Sequence, residues 1–332
     1  MVFKSSKSQA MKGFGNNNKT KKSTEKKVKS NQKDQLITKA LSLHTNGKIK
    51  EASEIYNFLI KNKFYDPRVL NNLGSIYSQI KQFDKAILLF DESIKKFPDC
   101  IEAYPNLANV LMAKGRSNTA KNILNKAIEL NPKYLRSYSI MAGILVGEGN
   151  LQKAEFFLKK SLEINPKDIN ALVNLACVLK DSGNPKQAEK FLKDALKINP
   201  SYDFALTNLG AVLNELEKFD EGEQYLRKAL SINSSSPMAL NNLGNILSNK
   251  KNNKEAELCY RKAIEIKSDF SIAYNNLGSL LSKQGNLIEA ENFTQKAINF
   301  NPKFELAYVN LGSIKIDLDK LKEAEELFLS AI

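Results

Sequence analysis

The sequence predicts an all-α protein, a solenoid of stacked helical hairpins. Three observations carry this. A 34-residue period runs from Lys33 to the end of the chain without insertion or deletion. Within each period apolar residues fall at helical spacing on two successive segments. Glycine and proline recur at fixed places between those segments. Such an array is one continuous solenoid whatever its length.

Periods begin at Lys33, Pro67, Ile101, Leu135, Ile169, Asp203, Pro237, Ser271 and Glu305. The expected organisation is a leader over residues 1–32 and an array of nine repeats over 33–332, the ninth stopping at its twenty-eighth residue. The leader is rich in Lys, Ser, Asn and Gln and shows no helical or strand period. It cannot bury enough apolar area to offset its ordering entropy and is expected to be disordered. Met11-Lys12-Gly13-Phe14-Gly15 is its one compact patch, read as tail rather than docking motif.

In the second repeat, Leu70, Leu73, Gly74 and Tyr77 mark one face of a first helix. Phe83, Ala86, Ile87, Phe90 and Ile94 mark a second helix, and Pro98 ends it. Prolines return at 132, 166, 200 and 302, each after Asn. Gly47, Gly115, Gly149, Gly183 and Gly285 stand at the turn inside the hairpin. Small residues occupy position 8 (Gly74, Gly210, Gly244, Gly278 and Gly312, otherwise Ala) and position 20 (Ala, with Gly222 the exception). Small side chains at both places let the two helices approach closely. Gly222, with Ser234 in place of proline, marks residues 222–234 as an expected soft stretch.

The formal charge is +14, unevenly spread. Residues 1–35 hold ten lysines against Glu25 and Asp34, so the basic character belongs mainly to the leader. Those lysines are read as a solubilising tail; weak binding of nucleic acid or anionic lipid is the alternative. Three cysteines, Cys100, Cys177 and Cys259, lie far apart with no CxxC, which argues for reduced thiols rather than disulfides or zinc. No apolar run is long enough for a membrane span, and no apolar stretch follows the leader as in a secretory signal. A cytoplasmic location is the expectation. There is one histidine, His44, and no P-loop, HExxH or GxSxG. No catalytic constellation, metal site or cofactor site is expected, and the chain reads as a non-enzyme.

With small residues at 8 and 20, large apolar ones at 4, 7, 11 and 24, and proline at 32, the chain resembles the tetratricopeptide-repeat (TPR) family over residues 33–332. The resemblance implies a right-handed superhelix whose first helices line a concave groove with positions 2, 5, 6, 9, 12 and 13. Repeat 1 departs from the pattern at Lys39, Leu59 and Phe64, as a capping repeat does. Position 6 is Asn72, Asn106, Asn174, Asn208, Asn242, Asn276 and Asn310, broken only by Thr38 and Ile140. Asn241, Asn245 and Asn275 extend the series in repeats 7 and 8. These ten residues are the expected peptide-binding set, because a ladder of amides can serve the backbone of an extended peptide. The alternative is that position 6 is kept for the fold. The ladder is similar to that in the TPR arm of bacterial O-linked N-acetylglucosamine transferase-like proteins. The implied groove carries Arg68, Arg136, Lys180 and Lys283 against Asp34, Glu102, Asp181, Glu215 and Asp317, a near-neutral balance that disfavours nucleic acid.

The expected function is a protein-interaction scaffold holding a peptide or partner protein in an Asn-rich groove. One alternative is the substrate-recruiting arm of a glycosyltransferase or other modifying enzyme; another is anionic-polymer binding through the leader. The last repeat stops without a polar helix to cover it. Continuation in a longer protein, homodimerisation through that end and fraying of the last helix are three open explanations.

Overall fold

The computed structural model describes residues 32–331. The expected disordered leader and its Met11–Gly15 patch lie outside the described residues, except that Gln32 opens the first helix. The described part is an all-α solenoid of helical repeats with eighteen helices and no strand.

It divides into two compact units, the first ending at Ile140 and the second beginning at Met141. The first contains α1 (32–45), α2 (Ile49–Lys61), α3 (Pro67–Gln79), α4 (Phe83–Lys96), α5 (Ala103–Ala113) and α6 (Ser117–Leu130). The division falls inside α7 (Leu135–Gly147), at the residue that breaks the asparagine series. The second unit continues with α8 (Leu151–Ile164), α9 (Ile169–Asp181), α10 (Pro185–Ile198), α11 (Asp203–Glu215), α12 (Phe219–Ile232), α13 (Pro237–Asn249), α14 (Asn253–Ile266), α15 (Ser271–Lys283), α16 (Leu287–Phe300), α17 (Glu305–Asp317) and α18 (Leu321–Ser330).

Local chemistry sets the ends of these helices. Asp66 and Asp168 accept the backbone N–H of Arg68 (2.9 Å) and of Asn170 and Ala171 (3.0 and 3.2 Å) at the starts of α3 and α9. Ser236 does the same for Ala239 at the start of α13, with Pro237 in the first turn. The Asn that precedes proline between repeats has its own task. Asn131, Asn165, Asn199 and Asn301 each accept the N–H two residues on, at 3.0–3.2 Å, closing an Asx turn.

Inside each hairpin, position 15 always adopts a left-handed backbone. Five repeats place glycine there, and the other four place Lys81, Glu217, Lys251 and Asp319 at φ between 57° and 63°. The recurring glycine thus reflects a backbone requirement that other residues meet under strain.

Within each unit a first helix packs on its own second helix and on the next first helix: α3 on α4 and α5, α11 on α12 and α13, α13 on α14 and α15, α15 on α16 and α17. Position 8 is where the hairpin closes. A Cβ on Gly244 would lie 2.5 Å from the Tyr260 ring, and on Gly74 or Gly312 would lie 2.7 Å from Phe90 or Phe328. Position 24 therefore supplies the side chain that fills the space left at position 8. Gly222 is not a soft point in packing. A Cβ there would meet Ile246 at 2.7 Å and the Gly210 carbonyl oxygen at 3.3 Å, so the helices touch across it.

One core position breaks the apolar rule. Position 11 is Leu in repeats 3 to 8, yet Lys315 holds it in α17 and is buried. Its ammonium bonds Glu291 at 2.7 Å and also Glu323, while Lys320 bonds Glu291 at 3.3 Å. Burial works to lower the Lys315 pKa, but these carboxylates outweigh it and hold it above the usual value.

Candidate functional site

Positions 2, 6, 9 and 13 of a first helix lie within about 60° of one another on a 3.6-residue turn, so they share one face. In the second unit this face belongs to α9, α11, α13, α15 and α17. Asn208, Asn242, Asn245, Asn276 and Asn310 are all half-buried there, and Asn174 is exposed. Asn241 and Asn275 are different. They were expected on the open face, but they are 2% and 1% exposed.

Hydrogen bonding explains that burial. Asn276 Nδ2 donates to Asn241 Oδ1 at 2.9 Å and to Asn245 Oδ1 at 3.0 Å. Asn310 Nδ2 donates to Asn275 Oδ1 at 2.9 Å. In repeats 8 and 9 the position-6 amide thus reaches the position-5 amide of the repeat before it, whereas Asn106 and Asn71, at the same positions of repeats 3 and 2, are not bonded. Where position 5 of the preceding repeat is not Asn, the bond is absent. Thr207 and Ser139 precede Asn242 and Asn174 in this sense, and neither asparagine side chain has a hydrogen-bond partner among the described residues. Asn208 turns inward instead, donating to the Phe204 carbonyl at 2.8 Å and accepting the Cys177 thiol at 3.4 Å.

The ladder is tied to the core at Gly244. Because that residue has no side chain, the Tyr260 ring crosses the helix and its hydroxyl donates to Asn245 Oδ1 at 2.8 Å. Desolvation by burial raises the Tyr260 pKa, so its proton stays in this bond.

In the first unit, Asn72 and Asn106 share a cleft of about 710 Å³ with Arg68, Asn71, Lys96 and Glu102. Asn72 Nδ2 reaches the Tyr56 hydroxyl at 3.4 Å. Asn71 donates to Cys100 Sγ at 3.3 Å, and its buried side-chain oxygen has no partner among the described residues. Asn106 has no side-chain partner among the described residues.

The charged groups pair locally. Lys180 lies 3.2 Å from Asp181 and 4.0 Å from Glu215. Burial raises the thiol pKa of Cys100, Cys177 and Cys259, the last to about 11, so none is an activated nucleophile. Among the described residues no group of three or more His, Cys, Asp or Glu could hold a metal ion, and no helix is long and apolar enough to cross a membrane. His44 meets Tyr56, its Nδ1 3.5 Å from the hydroxyl.

Charge counting passes over one feature of this face. Position 2 is polar in repeats 1 to 5 and then becomes Phe204, Met238, Ile272 and Leu306. All four are exposed, at 47%, 48%, 41% and 53%. The signal is present in the sequence as a register effect, legible once position 2 is followed down the array.

Helical hairpins repeated every 34 residues and packed through small residues define a helical-repeat protein of the tetratricopeptide class. A family model described as Cilia and flagella-associated protein 70 C-terminal domain matches residues 5–265, and two tetratricopeptide-repeat models match residues 259–292 and 306–332. The chain belongs to the tetratricopeptide-repeat family that the first of these models describes. A tetratricopeptide repeat protein from Parabacteroides merdae is 22% identical, with a TM-score of 0.60 over 70% of this chain and 91% of its own. The structure of the APC/C hetero-tetramer Cut9–Hcn1 also gives a TM-score of 0.60, at 15% identity, over 85% of this chain and 55% of the other. At these identities the likeness is one of fold. No curated protein matches the chain.

Proposed function

We propose that the protein is an interaction scaffold that binds an extended segment of a partner protein along the first-helix face of its second unit. The observation that carries this is Asn242. Its side chain is half-buried on that face and has no partner among the described residues, although its neighbours Asn241 and Asn276 are bonded to each other. The side-chain oxygens of Asn276 and Asn310 are also open, since both residues bond through Nδ2. An extended backbone offers the N–H and C=O groups that such amides take up. Asn174, and Asn106 in the first unit, present the same free amide.

The test is a pull-down from the source cell comparing the intact array with Asn242→Ala and with Asn174→Ala. Loss of the same partners in both variants, with an unchanged melting curve, supports the reading. Equal capture by all three proteins counts against it.

A second reading is favoured by the position-6 asparagine series, which is similar to that in the TPR arm of O-linked N-acetylglucosamine transferases. On it the array recruits substrates for a modifying enzyme, most simply a glycosyltransferase acting in trans. Recovery of a sugar-nucleotide-dependent transferase activity with the captured array, and its loss with Asn242→Ala, is the expected result. The leader is proposed as a solubilising tail. A salt-sensitive gel shift with nucleic acid that disappears on deleting residues 1–32 would reverse that assignment.

A further inference from the structure

The cleft of the first unit contains a buried acceptor that the second unit satisfies in the equivalent place. In α13 and α15 the position-5 oxygens, Asn241 Oδ1 and Asn275 Oδ1, each receive an N–H from the next first helix at 2.9 Å. In α3 that position is Asn71, 8% exposed, and its oxygen receives none among the described residues. Asn106, which stands where the donor should come from, makes no such bond. Two local differences accompany the gap. Helix α5 begins at Ala103, two positions later in its repeat than α15 and α17. Cys100 occupies position 34 before it, where Phe270 and Phe304 precede α15 and α17. The smaller side chain fills less of the junction, and its sulfur takes the Asn71 N–H at 3.3 Å. The cleft of about 710 Å³ lies at this junction, lined by Asn71 and Cys100 and by the loop between repeats 2 and 3. A buried acceptor without a donor is costly, and a ligand that brings one recovers that cost.

We propose that this cleft binds an organic cation through its N–H groups, with Asn71 Oδ1 as the buried acceptor and Asp99 and Glu102 as the anionic wall. The site belongs to the first unit and is separate from the face on which the scaffold reading rests, so neither inference depends on the other.

Charge chooses the ligand. Both cations that line the cleft are already engaged. Arg68 grips Asp66 through two bonds, at 3.0 and 2.9 Å. Lys96 stands 3.9 Å over the Tyr65 ring and 3.7 Å from Glu92. The two acids that line it, Asp99 and Glu102, have no cation beside them among the described residues, and Glu102 accepts the Cys100 thiol at 3.5 Å. An anionic ligand would meet two unneutralised carboxylates and an acceptor oxygen. An ammonium or guanidinium group meets three acceptors, and its hydrogen bonds to the carboxylates are charge-assisted. A metal ion fits less well, because no group of three or more His, Cys, Asp or Glu comes together among the described residues. Such a cation comes either from a free polyamine or from a Lys or Arg side chain of a partner protein. The chemistry in the cleft is the same for both.

The test titrates the full chain by calorimetry at low salt with putrescine, with agmatine, and with end-blocked Gly-Ser-Lys-Ser-Gly and Gly-Ser-Arg-Ser-Gly peptides. The Lys peptide acetylated on its ammonium nitrogen is the neutral control. At least one cation is expected to bind about tenfold or more tighter than that control. Binding of the amines alone assigns the site to a free polyamine, and binding of the peptides assigns it to a partner's side chain. Asp99→Asn with Glu102→Gln should weaken the bound cation by about tenfold or more, with the circular-dichroism melt unchanged because both acids are exposed. Cys100→Phe, which puts at this junction the residue that precedes α15 and α17, should fill the cleft and abolish binding. Cation binding that persists in the double variant is surface ion pairing and overturns the proposal. Equal affinity for the acetylated peptide, or no binding of any cation, overturns it as well. None of these outcomes bears on the pull-down with Asn242→Ala.

Discussion

Asn276 donates its side-chain amide to Asn241 Oδ1 at 2.9 Å, a bond that joins residues 35 positions apart and buries the acceptor to 2% exposure. Asn310 stands in the same relation to Asn275, also at 2.9 Å. The offset of one residue beyond the 34-residue period is the mark of a bond between neighbouring repeats. What resembles a single row of contact residues therefore holds two populations, one that fastens repeats together and one left open.

The two populations separate by mutation. Asn276→Ala strands the buried Asn241 oxygen and should cost about 1–3 kcal/mol. Asn242→Ala breaks no bond and should leave stability within about 0.5 kcal/mol. Urea denaturation of both variants checks this; equal losses would erase the distinction.

Gly244 should tolerate no side chain. Gly244→Leu forces the Tyr260 ring, 2.5 Å from the position of a Cβ, out of its place and should cost about 1–3 kcal/mol. Tyr260→Phe keeps the packing and loses the bond to Asn245, for about 1 kcal/mol. A Gly244→Leu melting curve that overlays the parent's would refute the crossing described here.

Lys251 sits at φ 63° in the position-15 turn where five repeats place glycine. A left-handed backbone costs a non-glycine residue about 1–2 kcal/mol, partly offset by the greater chain entropy of glycine in the unfolded state. Lys251→Gly should accordingly stabilise by about 0.5–1 kcal/mol. Glu217→Gly should behave alike. A fall in melting temperature in both would show that the turn carries no strain.

Lys315 should be replaceable by an apolar residue but not by a small one. Lys315→Ala leaves a cavity and unpairs Glu323, for a loss of about 2 kcal/mol or more. Lys315→Leu restores the residue found at position 11 in repeats 3 to 8 and should fall within about 1 kcal/mol of the parent. Thermal melts rank the two variants. The reverse order would mean that the ion cluster, not the volume, holds this hairpin.

Acid should loosen the second unit through its inter-repeat carboxylates. Burial tends to raise the Glu189 pKa, but the hydrogen bonds and charges of Lys193 and Lys218 outweigh it and hold the group below its ordinary 4.5. Glu223, Glu289 and Glu291 are lowered in the same way by Lys250 and Arg227, by Arg261, and by Lys315 and Lys320. A lowered carboxyl contributes stability above its unfolded value, and that contribution is lost as pH falls through the folded value. The parent should therefore exceed Glu189→Gln in melting temperature at pH 6, and the two should converge as pH drops below about 4.5. Parallel curves down to pH 3 would contradict it.

The hairpins were legible in the sequence because they depend on patterns local to one repeat. Leu70 to Tyr77 set a face, Asn131-Pro132 sets a turn, and Gly285 sets a left-handed corner. The fate of an individual amide was not legible in this way. Asn242 and Asn276 have nearly the same local sequence, yet one is free and the other bonded: Thr207 precedes the first and offers no amide, Asn241 precedes the second and accepts, and Asn71 precedes Asn106 without bonding it. That information lies one repeat away and becomes visible only when neighbouring helices are set side by side. Lys315 was hidden for a related reason. Its partners Glu291 and Glu323 come from α16 and α18, 24 and 8 residues distant. The division after Ile140 likewise has no signature in the 34-residue spacing, which runs through it unbroken.

The amide bond between repeats also bears on how such a chain can change length. Repeats 7 and 8 carry the same acceptor, Asn241 and Asn275, and repeats 8 and 9 the same donor, Asn276 and Asn310. Excising Ser271 to Phe304 would carry Asn310 into the place of Asn276, facing Asn241, and the same bond would form across the scar. Duplicating that block would add one such bond without disturbing those on either side. At this end of the array the link lets whole repeats be lost or gained through recombination of the gene, with the product already stitched at the new junction.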